Sequence, residues 1–283
     1  MDRNNELIRV LDLEAIELDM YRGFTPNRGE QKRIFGGQVI AQALAAAYRT
    51  VEGRICHSLH AYFIRAGDPT IPILYKVERA RDGASFTTRR VTAIQHGRQI
   101  FNLSASFQVP EEGLEHRGAM PDVPLPEELL NEEQLRAQHP RPGDELRTPW
   151  PVEMRPIDPD PRGAPRQREP IYRCWFRARA PIGADPIVSQ CALAYASDMS
   201  LMDSSLRPHG VDWDHPQLQA ASLDHALWFH RPCDFNEWHL YVQDSPSASG
   251  GRGFNRGEIF SRDGVLVASA AQEALIRLRK PAP

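Results

Sequence analysis

Two stretches of this chain are too apolar on every side to lie on a surface as helices. Residues 38–49, QVIAQALAAAYR, are rich in alanine, contain no Pro or Gly, and follow Gly36 and Gly37. They read as a helix entered through a glycine turn. Val39, Ile40, Ala41, Ala43, Leu44, Ala45, Ala46 and Ala47 occupy nearly its whole circumference. Residues 187–206, IVSQCALAYASDMSLMDSSL, form a second run of the same kind. A helix apolar on all faces must be enclosed, and a flat layer covers only one side, so its partner has to curve around it.

Strand signals follow each helix. After the first come β-branched and aromatic runs at 57–65, 71–81, 85–96 and 99–109, divided by AGDP (66–69), RDGA (81–84) and QHGR (95–98). These are hairpin-like spacings for antiparallel pairing. After the second come 222–231, 237–244, 253–262 and 265–277. A shift of 166 residues superposes the two strand regions: Phe63 meets Phe229, Arg65 meets Arg231, Asp68 meets Asp234, Leu74 meets Leu240, Tyr75 meets Tyr241 and Arg90 meets Arg256. Six identities in the 29 positions 62–90 exceed the roughly two that composition alone gives. The fold class expected is α+β: a duplicated domain, each half an antiparallel sheet wrapped around one long apolar helix.

Residues 110–170 differ. They hold 13 of the 24 prolines, with many charges and no sustained period, and read as an irregular connection. A short strand at 152–157 opens the second unit, and 171–179, IYRCWFRAR, alternates as a half-buried strand, with Tyr172, Cys174, Phe176 and Ala178 on one side and Arg173, Trp175, Arg177 and Arg179 on the other. Near the start, Leu7, Ile8, Leu11, Leu13 and Ile16 suit a short amphipathic helix over 5–20. The expected division is an N-terminal domain (1–112), a Pro-rich connection (113–150) and a C-terminal domain (151–283).

Composition excludes several classes. Hydrophobic residues at 41% and charged residues at 25% suit a globular chain, and a net charge of 34 − 37 = −3 argues against a nucleic-acid binder. There is no 18-residue apolar run to span a membrane, the charged first twenty residues hold no secretory core, and the ending KPAP is no peroxisomal address. The four cysteines, Cys56, Cys174, Cys191 and Cys233, form no CxxC, so structural zinc is not expected and reduced thiols in the cytoplasm are. His57 and His60, three apart on a strand, point to opposite faces and share no metal. Arg65, Arg79, Arg81, Arg89 and Arg90 read as a solvated face able to meet a phosphate-bearing ligand. No GxSxG elbow and no GxxxxGK[ST] loop is present.

Three polar residues interrupt apolar runs. Asp198 lies in the second helix, where a carboxylate needs partners or an opening; the residues alone also allow a helix cap. Ser222 heads a strand in which alternation places Ser222, Asp224 and Ala226 on one face and Leu223, His225 and Leu227 on the other. Gln272 breaks the small apolar run VLVASAAQEALIR and is either a satisfied buried amide or an edge residue. His225, His230 and His239 flank aromatics and read as core or rim histidines.

The stretches RIFGGQVIAQAL (33–44), HSLHAYFIRAGDP (57–69), RDGASFTTRRV (81–91), ALAYASDMSLM (192–202), SLDHALWFHRP (222–232), SASGGRGFNRGEIF (247–260) and DGVLVASAAQE (263–273) closely resemble the acyl-CoA thioesterase II family of double hot-dog thioesterases. The resemblance runs from about residue 5 to 277 and is weakest across 113–170. It implies a tandem hot-dog fold, an acyl-CoA substrate, no cofactor, no metal and a homo-oligomer (dimer or tetramer). It also implies an active site in the second half, with the family's Asp on Asp198, its Ser or Thr on Ser222 and its Gln on Gln272. Phe107 stands roughly where Gln272 would fall in the first half, which therefore looks catalytically empty. Two other readings stand beside hydrolysis. A hot-dog enoyl-CoA hydratase would need an Asp and His motif that is absent, and a non-catalytic acyl-CoA-binding protein would have no use for the three filled positions.

Overall fold

The computed structural model describes residues 5–29, 32–141, 143–144, 147–160 and 163–279. Two helices form its centre. Helix α2 (Gly36–Tyr48) is buried from Gly37 to Tyr48. Against it packs α4 (Pro186–Ser197), started by Asp185, whose side chain accepts from the Ile187 N–H, with Pro186 in the first turn. Nothing about α2 itself selects one face, so the sheet must bend around it.

The first half supplies β3 (Ile55–Phe63), β4 (Ile73–Asp82), β5 (Phe86–Gln95) and β6 (Arg98–Gln108); the second supplies β9 (Leu218–Ser222), β10 (Asp224–Phe229), β11 (His239–Ser249), β12 (Arg252–Ser261) and β13 (Leu266–Leu278). All pair antiparallel. The order β4-β5-β6-β3-β10-β13-β12-β11 runs through both halves as one sheet, with β9 on the far part of β13. This is the double hot-dog arrangement. The internal repeat is kept in the fold: β4 and β11 start 239 − 73 = 166 residues apart, and β5 and β12 start 252 − 86 = 166 apart. At the junction His60 of β3 lies opposite Ala226 of β10, its own counterpart at 60 + 166. The halves are thus related by a local two-fold axis through that pair.

The connection is less loose than its composition suggests. It carries α3 (Glu132–Gln138) and then β7 (Val152–Pro156), which pairs with β8 (Ile171–Ala178) at the sheet's far edge. Trp175, expected on the polar side of its strand, is buried with Trp238, Leu240 and Phe260 beneath Met120, Val123 and Leu129 of the connection. Its indole N–H donates to the Pro124 carbonyl at 2.8 Å. The proline-rich segment therefore covers the outer face of the second sheet.

Several sequence expectations change. The helix expected over 5–20 is only α1 (Glu6–Leu11). The chain then forms a hairpin of β1 (Glu14–Glu17) and β2 (Met20–Gly23) around Asp19 at φ 56°, and β2 pairs with β4. Pairing an otherwise open sheet edge outweighs a weak helical pattern. Arg89 does not lie on a solvated face: it is 2% exposed, bonded to Asp82 at 2.7 Å and to the Thr50 hydroxyl at 2.8 Å. A bulge between Cys56 and Ser58 upsets the alternation of β3. His57 and His60 consequently both reach outer-face partners, His57 the Ser106 hydroxyl and Phe86, His60 the Trp228 ring in a T-shaped contact.

Candidate active site

The second helix is not continuous to residue 206. Asp198 ends α4 as its C-terminal cap (φ −92°, ψ −4°), and a separate short helix, α5 (Asp203–Leu206), follows. The cap reading and the functional reading of Asp198 are therefore compatible, since ending the helix frees the carboxylate to turn toward the sheet.

The expected strand 222–231 is likewise broken. Leu223 donates its N–H to the Glu273 carbonyl and accepts from the Phe63 N–H, both at 2.9 Å, as the chain passes from β9 to β10. One residue is spent in that crossing. Ser222 and His225, which an unbroken strand would point to opposite faces, both reach the interior. The Ser222 hydroxyl donates to Asp198 Oδ1 at 3.0 Å. From β13 the Gln272 amide, 1% exposed, donates its Nε2–H to the same Oδ1 at 3.0 Å. Its Oε1 faces Nδ1 of His225 at 3.0 Å. The three residues selected from sequence thus meet on one carboxylate oxygen.

A fourth group comes from the other half. The backbone at Gly37, in the first turn of α2, also favours the charged form of Asp198. A Cβ at Gly36 would stand 2.6 Å from Asp198 Oδ2, and one at Gly37 would collide with the Tyr195 carbonyl, so only glycine permits this approach. The positive end of the α2 dipole lies against the acid. Sequence reasoning did not bring the head of α2 to Asp198. The signal was present in the Gly-Gly pair at the head of a helix with no side-chain cap.

Burial pushes the Asp198 carboxyl up to about 6, against the opposing pull of the Ser222 and Gln272 donors and of the Gly37 backbone. Burial pushes His225 down to about 4, so the imidazole is neutral at physiological pH. No group of three or more His, Cys, Asp or Glu able to hold a metal occurs among the described residues.

Strand register corrects one correspondence. Asn255 of β12 faces Gln272, and Arg89 of β5, 166 residues earlier, faces Ala105. Ala105, not Phe107, is the first-half counterpart of Gln272, because β6 is offset by one further residue; Phe107 matches Ala274, each facing the Ser222 or Cys56 position.

Fold and site define a double hot-dog protein with an acid–hydroxyl–amide centre in its second half. The family model "Acyl-CoA thioesterase" matches residues 150–275, and "Acyl-CoA thioesterase N-terminal domain" matches residues 25–108. The chain is 42% identical to human acyl-coenzyme A thioesterase 8 over 287 residues (95% of this chain, 88% of the relative). It is 41% identical to acyl-CoA thioesterase 2 of Haemophilus influenzae over 281 residues (96% and 97%). The crystal structure of an acyl-CoA thioesterase II from Mycobacterium marinum superposes with a TM-score of 0.80 at 41% identity, covering 98% of this chain and all of that one. The chain belongs to the acyl-CoA thioesterase family.

Proposed function

We propose that the protein hydrolyses fatty acyl-CoA to free fatty acid and CoA by direct attack of water, with Asp198 as general base and Ser222 and Gln272 orienting the nucleophile. The observation that carries this reading is the convergence of the Ser222 hydroxyl and the Gln272 amide on Asp198 Oδ1. With its carboxyl raised to about 6, Asp198 is ionised at neutral pH yet far more basic than a surface aspartate. It can take the proton of a water held by the hydroxyl and the amide. The water oxygen bonds to the thioester carbon, the C–S bond breaks, and the proton held by Asp198 passes to the departing CoA thiolate. The N-terminal turn of α2 favours the negative charge that builds on the carbonyl oxygen.

A covalent acyl-serine is disfavoured, because both ring nitrogens of His225 face Gln272 and Ser197 and neither faces Ser222. The test is thiol release from palmitoyl-CoA, followed with a thiol-reactive dye, together with acid-quenched single turnovers in which the intact protein is weighed by mass spectrometry. Fatty acid and CoA formed in step, with no acyl group on the protein at any time, is the expected result. A palmitoyl adduct on Ser222 or Asp198 that forms and decays at the rate of turnover would replace this mechanism with a covalent one.

A further inference from the structure

We infer that His225 is a positioning residue for this reaction: through its Nδ1–H it fixes which end of the Gln272 amide faces Asp198. The inference rests on the direct-water reading above and adds a residue to it. His225 is 1% exposed on β10, with one ring nitrogen 3.0 Å from Gln272 Oε1 and the other 2.9 Å from Ser197 Oγ.

The hydrogen-bond bookkeeping admits one arrangement. Asp198 is an acceptor, so the Gln272 amide must present its NH₂ to it at 3.0 Å and its oxygen to the imidazole. The imidazole must then carry its proton on Nδ1, leaving Nε2 bare. Nε2 in turn accepts from the Ser197 hydroxyl, which gives it its single proton in preference to the Ala194 carbonyl 3.0 Å away. Ser197 is the residue before Asp198, and its carbonyl is held by the Tyr241 hydroxyl at 2.9 Å. The ring Ser197–His225–Gln272–Asp198 is therefore closed by one peptide bond. Without His225, the Gln272 amide could flip and set its oxygen against the carboxylate.

The other half supplies an internal control. The 166-residue repeat places Leu59 at the position of His225, and strand register places Ala105 at that of Gln272. Leu59 is fully buried, so this core position does not itself require an imidazole. The histidine occurs in the half that has an amide to orient.

The ring nitrogens define the test. An Asn side chain can place an N–H near the position of Nδ1, whereas a Gln side chain reaches that of Nε2 and a Leu supplies neither. In His225→Leu and His225→Gln, kcat is expected to fall on the order of 10²-fold, as in Gln272→Ala, with KM within about a factor of two. His225→Asn recovers most of that loss. The acid limb of the pH–rate profile moves to higher pH in the Leu and Gln variants, because Asp198 loses a donor that favours its charged form, and stays in place in the Asn variant. The double variant His225→Leu/Gln272→Ala is no slower than Gln272→Ala alone. Circular dichroism establishes that each variant is folded; if the Leu variant is not, the Asn–Gln pair carries the test. Folded Asn and Gln variants of equal rate, or a Leu variant at wild-type rate beside a crippled Gln272→Ala, overturn the role of His225 alone. A Gln272→Ala enzyme at wild-type rate overturns the direct-water mechanism and this inference together.

Discussion

The two halves of the molecule share a helix, a sheet and a register, and they differ in a handful of side chains. In the second half α4 ends on Ser197 and Asp198; in the first, α2 ends on Tyr48 and Arg49. Ser222 is matched by Cys56, His225 by Leu59 and Gln272 by Ala105. What the second half spends on a polar network around Asp198, the first spends on packing. The Tyr48 hydroxyl is bonded to Gln190 and to the Cys56 N–H, tying the first half to α4. Cys56 is buried, with its thiol pushed up by desolvation, and is no nucleophile. The first half still takes part, because the N-terminal turn of its α2 lies against Asp198. The lesson is that the half of a duplicated fold without the polar cluster can still set the surroundings of that cluster through its backbone.

The comparison can be broken most directly at the acid. Asp198→Ala should lower kcat by roughly 10³-fold with the fold retained, read by thiol release and circular dichroism; full activity would return the two halves to equivalence. Giving position 272 the alanine of the first half should cost about 10²-fold in kcat, and Ser222→Ala less, as expected for groups that orient rather than abstract. The same assay across pH should show kcat/KM falling tenfold per unit below about pH 6, where Asp198 becomes protonated.

A stability measurement sharpens the contrast. The Asp198 carboxyl is about 6 in the folded protein against 3.8 in the open chain, so its ionised form opposes folding. The penalty is absent below pH 4, grows as pH rises through this window, and reaches about 3 kcal/mol above it. Asp198→Asn should therefore be inactive yet melt roughly 5 °C higher at pH 7.5, with the gain vanishing near pH 4. The smallest effect is expected in the first half: Tyr48→Phe should leave kcat within about a factor of two and lower stability by about 1 kcal/mol.

Much of this was legible in the chain. Two helices apolar all round dictated a wrapping sheet, and hairpin spacing dictated antiparallel order. Asp198, Ser222 and Gln272 stood out as polar residues in apolar runs, and the resemblance joined them. What stayed hidden depended on long-range geometry. Alternation placed Ser222 and His225 on opposite faces because nothing local announces the crossing at Leu223. The pattern over 5–20 looked helical because the edge of β4 that recruits β2 is distant in sequence. Trp175 looked half-exposed because its cover, the proline-rich connection, has no periodicity of its own.

The antiparallel pairing of β3 with β10 at the local two-fold has a practical corollary for anyone dividing this chain. Separating the two repeats would remove a ladder of main-chain hydrogen bonds and leave each fragment with a raw strand flank. A separately expressed carboxy-terminal fragment should clump and be inert, and co-expression of both pieces should restore turnover, since each supplies the missing neighbour of the other.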